Sequence, residues 1–287
     1  MGNRVDIEFS TAVRGEWIQR IVESRELVEQ GCQELHILLK DAITLSNFEP
    51  MHFVTLSCLI DIAKKEDALI WLTIEDDRLR TFVVNDVHLT SYWKDKNIPY
   101  IREPEQKPYN LWRIKDTTYY NYTFALNTFF QNVYFKGKDL SGLNNCIIEL
   151  FQNVFDHAEA YGTAFSYIEY NEEDAIINIA VCDFGKGIPE TLKSKYPNER
   201  EAITKSLQPG ITAGSRKHNK GYGMQNILST MTVKDSMHII SNHTLLYLQG
   251  NNSRLHDLKY NFRGTLLYMT IHIDSFADEE IIDTFTF

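Results

Sequence analysis

A polar stretch that contains several prolines divides the sequence and constrains its fold more than any other feature. Residues 94–108 carry Pro99, Pro104 and Pro108 among mostly polar side chains. Because proline removes a backbone donor and disfavours helix at the residue before it, this stretch is the best candidate for a domain boundary. We therefore predict two domains, at residues 1–105 and 106–287, since a typical domain has about 100–150 residues.

The first half of the chain shows a strand–helix–strand pattern. Apolar runs at residues 36–39 and 68–74 flank a segment of helical periodicity at residues 50–65, and an amphipathic stretch follows at residues 79–93. This order predicts a smaller α/β domain in front of the rest of the chain.

In the second half, predicted helices come before most of the predicted strands. The predicted helices are at residues 122–134, 140–158 and 224–231. The predicted strands are at residues 111–115, 163–170, 175–183, 237–241, 244–248 and 265–273. Helices and antiparallel strands in this order predict an α+β fold, a two-layer α/β sandwich.

Charge and cysteine content narrow the class of protein. Lys and Arg total 29 against 39 Asp and Glu, and the net charge of -10 makes nucleic acid an unfavoured partner. The cysteines lack C-x-x-C spacing and have apolar neighbours, so we predict buried free thiols in a reducing compartment. No apolar run approaches the roughly 18 residues of a membrane span. Without an apolar signal core at the start, we expect a cytoplasmic protein that does not contact membranes.

Glu149, Asn153 and Asp156 form the first candidate functional group. On the predicted helix they stand at i, i+4 and i+7 and make one polar ridge. The residues expected to bury the opposite side are Ile148, Phe151 and Phe155. The Asn153 amide oxygen can bind Mg²⁺, and the Glu149 carboxylate can take a proton from an attacking water or hydroxyl. The solvated face of an ordinary amphipathic helix would show the same pattern.

Asp183 ends a predicted strand and is followed by Gly185 and Gly187. Strand alternation places its carboxylate on the same face as Ile177 and Ile179, in the apolar interior. A carboxylate there needs a donor, and the exocyclic amine of adenine is a suitable one. The glycines would let the backbone approach the base closely. A plain turn can have the same D-x-G-x-G string.

A third group opens the predicted helix at residues 224–231, after a polar, glycine-bounded stretch. It comprises Lys220, Gly221, Tyr222, Gly223 and Met224. Amides at a helix start, freed from side-chain bulk by glycine, bind anions such as phosphate. A solvated basic loop is the alternative. Further on, the hydroxyl of Thr265 at the start of a strand could reach the base, although a β-branched residue is also common there.

The order of these motifs resembles the GHKL family of ATPases, whose nucleotide site has the Bergerat fold. E-x-x-x-N is followed about 30 residues later by D-x-G-x-G, then by a lid that ends in G-x-G, then by G-T on a final strand. The resemblance covers residues 110–275 and implies ATP and Mg²⁺ as cofactors. It implies that Asn153 binds Mg²⁺, Asp183 and Thr265 hold the base, and Gly185 and Gly187 shape the base pocket. It also places Gly221 and Gly223 at the phosphates, with Asp156, Lys220, Tyr222 and Met224 as further candidate nucleotide-binding residues.

Glu149 distinguishes between branches of this family. Histidine kinases usually lack a carboxylate at this position, whereas gyrase-like ATPases and anti-sigma-factor kinases carry it. The string at residues 149–157, E-x-x-x-N-x-x-x-H, is most similar to the anti-sigma-factor type. The resemblance therefore implies ATP hydrolysis with Glu149 as general base.

In this interpretation, ATP closes the lid at residues 210–223 and regulates a protein partner through residues 1–105. A serine/threonine kinase, with a partner hydroxyl in place of water, would use the same residues. A non-catalytic ATP sensor or scaffold is a third alternative, and homodimerisation remains open. The first half weakly resembles a STAS-like fold, and a plain α/β interaction domain fits its pattern equally well.

Overall fold

In the computed structural model, the parts of the chain that can be described are residues 3–93, 111–115, 117–156, 160, 164–208, 211, 228–229, 231–250 and 252–278. Within them the protein is a mixed α/β structure with a three-stranded parallel sheet and a five-stranded antiparallel sheet. The predicted boundary at residues 94–108 lies outside the described residues. No helix in the described ranges is long and apolar enough to cross a membrane.

The N-terminal half forms the parallel sheet. Its strands are β1 (Arg4–Phe9), β2 (Glu34–Leu39) and β3 (Leu69–Ile74), in the order β1-β2-β3. Parallel neighbours need long crossover connections, and these are the helices α1 (Arg14–Glu29) and α2 (Pro50–Lys65). After β3 the chain continues through α3 (Asp77–Thr81), a π-helical turn (Phe82–Asp86) and a 3-10 helix (Leu89–Trp93). The predicted strand–helix–strand unit is confirmed, whereas β1 and α1 were not predicted.

The bounds of α2 are those expected from its periodicity. Pro50 occupies the first turn, where a missing amide hydrogen costs nothing, and the Glu49 amide donates to His52 Nδ1 at 2.8 Å. Almost every residue from Pro50 to Ala63 is buried. Because α2 is buried on all sides, other elements must pack around it. It packs against β3 and also against strands of the second sheet.

The C-terminal half contributes the antiparallel sheet, in the order β4-β5-β6-β8-β7. Its strands are β4 (Trp112–Arg113), β5 (Ala164–Asn171), β6 (Ile176–Asp183), β7 (Ser236–Gln249) and β8 (Asn252–His272). Its helices are α4 (Tyr119–Val133), α5 (Ser141–Asp156), α6 (Ile188–Leu192) and α7 (Glu199–Lys205). The predicted elements from residue 111 to residue 183 are confirmed with small shifts of their bounds. Residues 252–264 were not expected to form a strand.

The antiparallel sheet is covered on both faces. Ile177, Ile179 and Val181 of β6 belong to a core with α4 and α5. Cys182, on the opposite face of the same strand, belongs to a core shared with α1, α2 and the parallel sheet. Within that shared core the rings of Phe53 and Tyr167 stack with centroids 4.6 Å apart. The two halves of the chain therefore bury one common core between their sheets.

The four cysteines are confirmed as buried free thiols. They are Cys32, Cys58, Cys146 and Cys182. Burial raises the pKa of the Cys146 and Cys182 thiols above the ordinary value, because the thiolate would have to leave water. Such thiols are unreactive and act as small apolar core residues.

Candidate functional site

Asp183 is a buried carboxylate at the end of β6, with 4% of its surface exposed. Alternation along the strand puts it on the face occupied by α4 and α5. The amide of Gly185 donates to its Oδ1 at 2.8 Å. Burial raises the pKa of Asp183 to about 6, although hydrogen bonds from Gly185 and Thr265 and the charge of Arg25 oppose the rise. The carboxylate is therefore mostly ionised at neutral pH and is held by donors from Gly185 and Thr265.

Thr265 is the direct register partner of Asp183 on the neighbouring strand β8. Its amide and its hydroxyl both act on the Asp183 carboxylate and lower the pKa of that group. The structure thus brings together two residues that lie 82 positions apart in the sequence and that we predicted to hold the base.

Two glycines allow the backbone segments around this pair to approach each other closely. Gly187 has φ +85°, and a Cβ atom there would lie 2.3 Å from Asn242 Oδ1. Gly264 has φ +121°, and a Cβ atom there would lie 2.1 Å from the carbonyl oxygen of Asp183. Both positions require glycine, because a side chain would collide with fixed neighbours as well as strain the backbone. Gly187 was a predicted site residue, whereas Gly264 was noted only as the neighbour of Thr265.

A bulge in β7 supports the turn that follows β6. The register of β7 against β8 shifts at Ser241 and Asn242, between the two segments that were predicted as separate strands. The Ser241 hydroxyl accepts from the Ile188 amide at 2.9 Å and donates to the Gly264 carbonyl at 2.7 Å. These two hydrogen bonds link the turn that contains Gly187 to Gly264 of β8. No sequence motif pointed to Ser241.

α5 lies over the same face of the sheet and contacts β6. Glu149 and Asn153 are partly exposed on it, as expected of a polar ridge. The fully buried residues of α5 are Leu143, Cys146, Ile147, Leu150, Phe151 and Val154. The prediction that Ile148 and Phe155 bury the opposite side needs correction, because both are only partly buried. The buried stripe is centred instead on Ile147 and Val154, which belong to the core that α5 shares with the antiparallel sheet.

Some predicted site residues fall where the structure gives no description. Asp156 ends α5, but its side chain lies outside the described residues. The candidate phosphate-binding residues Lys220, Gly221, Tyr222, Gly223 and Met224 also lie outside them, as does the predicted lid apart from residue 211. Their assignment stays a prediction.

Arg25 of α1 reaches the site from the N-terminal half and was not predicted. Its Nη2 donates to the carbonyl of Phe184 at 3.2 Å, and its Nη1 donates to the carbonyl of Arg263. The guanidinium carbon lies 4.6 Å from the centroid of the Phe184 ring. One sequence signal could have revealed it, because Arg25 stands four residues after Ile21 on the apolar side of α1.

Asn153 is the predicted protein ligand for a metal ion. The described residues include no group of three or more His, Cys, Asp and Glu side chains that could hold a metal by themselves. A Mg²⁺ ion that arrives with a nucleotide does not need such a group, because phosphate oxygens and waters fill most of its coordination positions. The partly exposed amide of Asn153 fits that requirement.

The arrangement combines the buried Asp183 carboxylate and the partly buried Thr265 hydroxyl at a corner of the sheet with a carboxylate and an amide on α5. The first pair can recognise a planar group that donates hydrogen bonds, and the second can serve a metal-bound anion. No protein-family model and no curated protein matches this sequence.

Proposed function

We propose that the protein binds ATP with Mg²⁺ in a Bergerat-type pocket between β6, β8 and α5, and that it hydrolyses ATP with Glu149 as general base. The observation that carries the proposal is the pairing of the buried Asp183 with Thr265 on the adjacent strand. The GHKL-like order of motifs requires these two residues to meet, although they lie far apart in the sequence.

The base-recognition step follows from the state of the carboxylate. A buried carboxylate is costly unless donors satisfy both of its oxygens. The Gly185 amide binds Oδ1 of Asp183, and the amide and hydroxyl of Thr265 also donate to the carboxylate. A carboxylate can accept about four hydrogen bonds, and the exocyclic amine of adenine is the further donor that we assign to it. Thr265 would hold the base or a water next to it. Guanine is disfavoured, because it carries a carbonyl where adenine carries the amine. That carbonyl oxygen would face the Asp183 carboxylate oxygen.

The fold around this corner supports the same proposal. We assign the antiparallel sheet with α4 and α5 on one face to the two-layer sandwich of the Bergerat fold. The α1 and α2 layer on the opposite face is then an addition made by the N-terminal half. This addition leaves the α5 face for the nucleotide and provides a route by which nucleotide binding regulates a protein partner.

The hydrolytic step is assigned to the ridge of α5. Mg²⁺ bound with ATP would neutralise charge on the phosphates, and the Asn153 amide oxygen is its protein ligand in this proposal. Glu149 stands one helical turn away, where its carboxylate accepts a proton from the attacking water. The phosphates themselves are assigned to residues 220–224.

Labelled ATP tests the proposal with wild type, Glu149→Gln, Asn153→Ala and the exposed control Glu173→Gln. We expect Glu149→Gln to bind ATP but to hydrolyse it about 10²–10⁴-fold more slowly. Asn153→Ala should lose Mg²⁺-dependent binding, and the control should match wild type. Wild-type turnover by Glu149→Gln would show that the general base is another group.

The fate of the label separates the alternatives. Release as phosphate supports the ATPase, whereas transfer to a protein hydroxyl supports a kinase that uses the same residues. Binding without any turnover, in wild type as well, supports an ATP sensor. A wild-type protein that binds no adenine nucleotide would refute the proposed site.

A further inference from the structure

Arg25 is a nearly buried arginine, 8% exposed, that joins α1 to the backbone beneath the candidate base-binding pair. Its two terminal nitrogens donate to the carbonyls of Phe184 and Arg263. Phe184 directly follows Asp183 at the end of β6, and Arg263 lies two residues before Thr265 on β8. One guanidinium therefore holds both backbone segments that position the base-binding side chains.

We propose that Arg25 is a positioning residue for nucleotide recognition, through which the N-terminal half sets the geometry and charge of the Asp183–Thr265 pair. This inference rests on the proposed ATP site and adds to it a link between that site and the parallel sheet. Arg25 is assigned no direct contact with the nucleotide, because it lies on the opposite face of the antiparallel sheet.

The chemistry of arginine suits this role. The guanidinium is planar and presents its donors as a rigid fork, so it can bind the carbonyl of Phe184, just after β6, and that of Arg263 on β8 at a fixed separation. Its flat face lies 4.6 Å from the ring centroid of Phe184, a cation–π contact that fixes the turn after Asp183. Its Nε donates to Glu29 at 2.9 Å, and Glu29 also pairs with Arg263. The side chain is thus held from both sides of the interface.

Arg25 also acts on the charge of the site. Its positive charge opposes protonation of Asp183, together with the donors from Gly185 and Thr265. The other titratable or charged groups close to the guanidinium are Glu29, Arg263 and the thiols of Cys58 and Cys182, and both thiols are buried. Loss of the Arg25 charge should therefore raise the pKa of Asp183 further and leave less of the ionised acceptor that adenine requires.

The test compares Arg25→Met and Arg25→Lys with Arg20→Met in the full-length protein. Arg20 is a matched control, because it is an exposed arginine on the same helix and pairs with Glu23 at 2.8 Å. The probe is a non-hydrolysable ATP analogue with Mg²⁺, titrated calorimetrically between pH 5 and pH 8. The melting temperature of each variant without nucleotide reports whether it is folded.

For wild type we expect affinity to fall as the pH drops through about 6, because protonated Asp183 loses its acceptor. Arg25→Met should bind about tenfold more weakly at pH 7, and its loss of affinity should begin at a higher pH. Arg25→Lys keeps a positive charge but lacks the planar fork, so its affinity should drop while its pH midpoint stays near that of wild type. Arg20→Met should match wild type in both.

Wild-type affinity and a wild-type pH midpoint in folded Arg25→Met would overturn the inference. If Arg25→Met does not fold, Arg25→Lys decides, and unchanged affinity in that variant overturns the inference. A shift in the pH midpoint separates the proposed role from simple loss of stability. Asp183→Asn identifies which idea has failed. If it abolishes binding while Arg25→Met does not, the ATP site stands without the role of Arg25; if wild type binds no nucleotide, the proposed function has failed.

Discussion

Replacement of Asp183 by Asn should stabilise the protein while it destroys the proposed ATP site. The native state holds this carboxyl with a pKa raised from 3.8 to about 6 because of burial. Above pH 6, folding therefore has to keep a charge in a site that disfavours it. Asn removes that charge, and its side-chain oxygen can still accept from the Gly185 amide, as the carboxylate does at 2.8 Å.

The magnitude follows from the shift in pKa. A rise from 3.8 to about 6 costs about 3 kcal/mol of stability at neutral pH, at about 1.4 kcal/mol per pH unit. Removal of the charge would recover this free energy, but the new amide hydrogens of Asn need acceptors, which offsets about 1–2 kcal/mol of the recovered stability. We therefore expect a net gain of about 1–2 kcal/mol, or about 2–6 °C in Tm.

The pH dependence has a definite sign. Between about pH 4 and pH 6 the unfolded wild type releases the Asp183 proton while the native state keeps it, so wild-type stability falls as the pH rises. The contribution of about 3 kcal/mol should therefore nearly vanish at pH 4, where the cost of the amide hydrogens leaves Asp183→Asn less stable than wild type, and should be complete above pH 6. Saturating ATP should reverse the ranking, since a ligand at 100 times its Kd adds about 2.7 kcal/mol to the protein that binds it.

Thermal melts and urea titrations at pH 4, 6 and 8, with and without Mg²⁺-ATP, measure these differences. Asp274→Asn is the control, because this carboxylate is exposed and its change should stay within about 0.5 kcal/mol. If Asp183→Asn is less stable than wild type by the same amount at every pH, this prediction is wrong. That result would mean that Arg25 and the surrounding donors stabilise the Asp183 charge more than burial destabilises it.

Two further predictions concern the supports of the site and sheet. Gly264→Ala should lower the free energy of unfolding by about 3 kcal/mol or more and abolish the proposed ATP binding, because its Cβ would lie 2.1 Å from the carbonyl oxygen of Asp183. Urea titration measures this loss. The control is Gly15→Ala, whose Cβ would have no neighbouring atom within 4 Å. Asp235→Asn should cost about 2 kcal/mol at pH 7. Burial acts to raise the pKa of Asp235, but donors that include two amides and a hydroxyl outweigh it and hold the pKa low. This carboxylate stabilises the fold above its unfolded pKa, so the difference from wild type should shrink as the pH falls through its lower native pKa, and a difference that grows in acid would contradict the assignment.

Elements with strong local periodicity could be predicted from the sequence. α2 and α5 combine apolar spacing of helical period with clear starts, and β5 and β6 flank a polar turn. In each case the residues that determine the element lie within it or next to it. The corner formed by Asp183 and Thr265 was also predictable, although only from the order of motifs, because their pairing depends on which strands become neighbours.

Elements that depend on distant partners could not be predicted. α1 buries Ser24 and Arg25 among its apolar residues, which interrupts the stripe that would have identified it. The first part of β8 is polar and largely exposed, and it is a strand because it pairs with β7. The role of Arg25 could not be predicted either, because its partners are the carbonyls of Phe184 and Arg263, more than 150 residues away in the chain.

In the proposed function, the position of α1 and α2 between the two sheets would allow the N-terminal half to affect a nucleotide on the far side of the second sheet. Cys182 packs toward these helices, and its neighbour Asp183 points the opposite way into the site. A shift of α1 that moved Arg25 would act directly on the backbone of Phe184, the next residue after that carboxylate. Because the interior is close-packed, such a shift cannot be absorbed locally. If the proposed ATP site is correct, the shared core is therefore the physical connection through which ATP and a partner bound to the N-terminal half would influence each other.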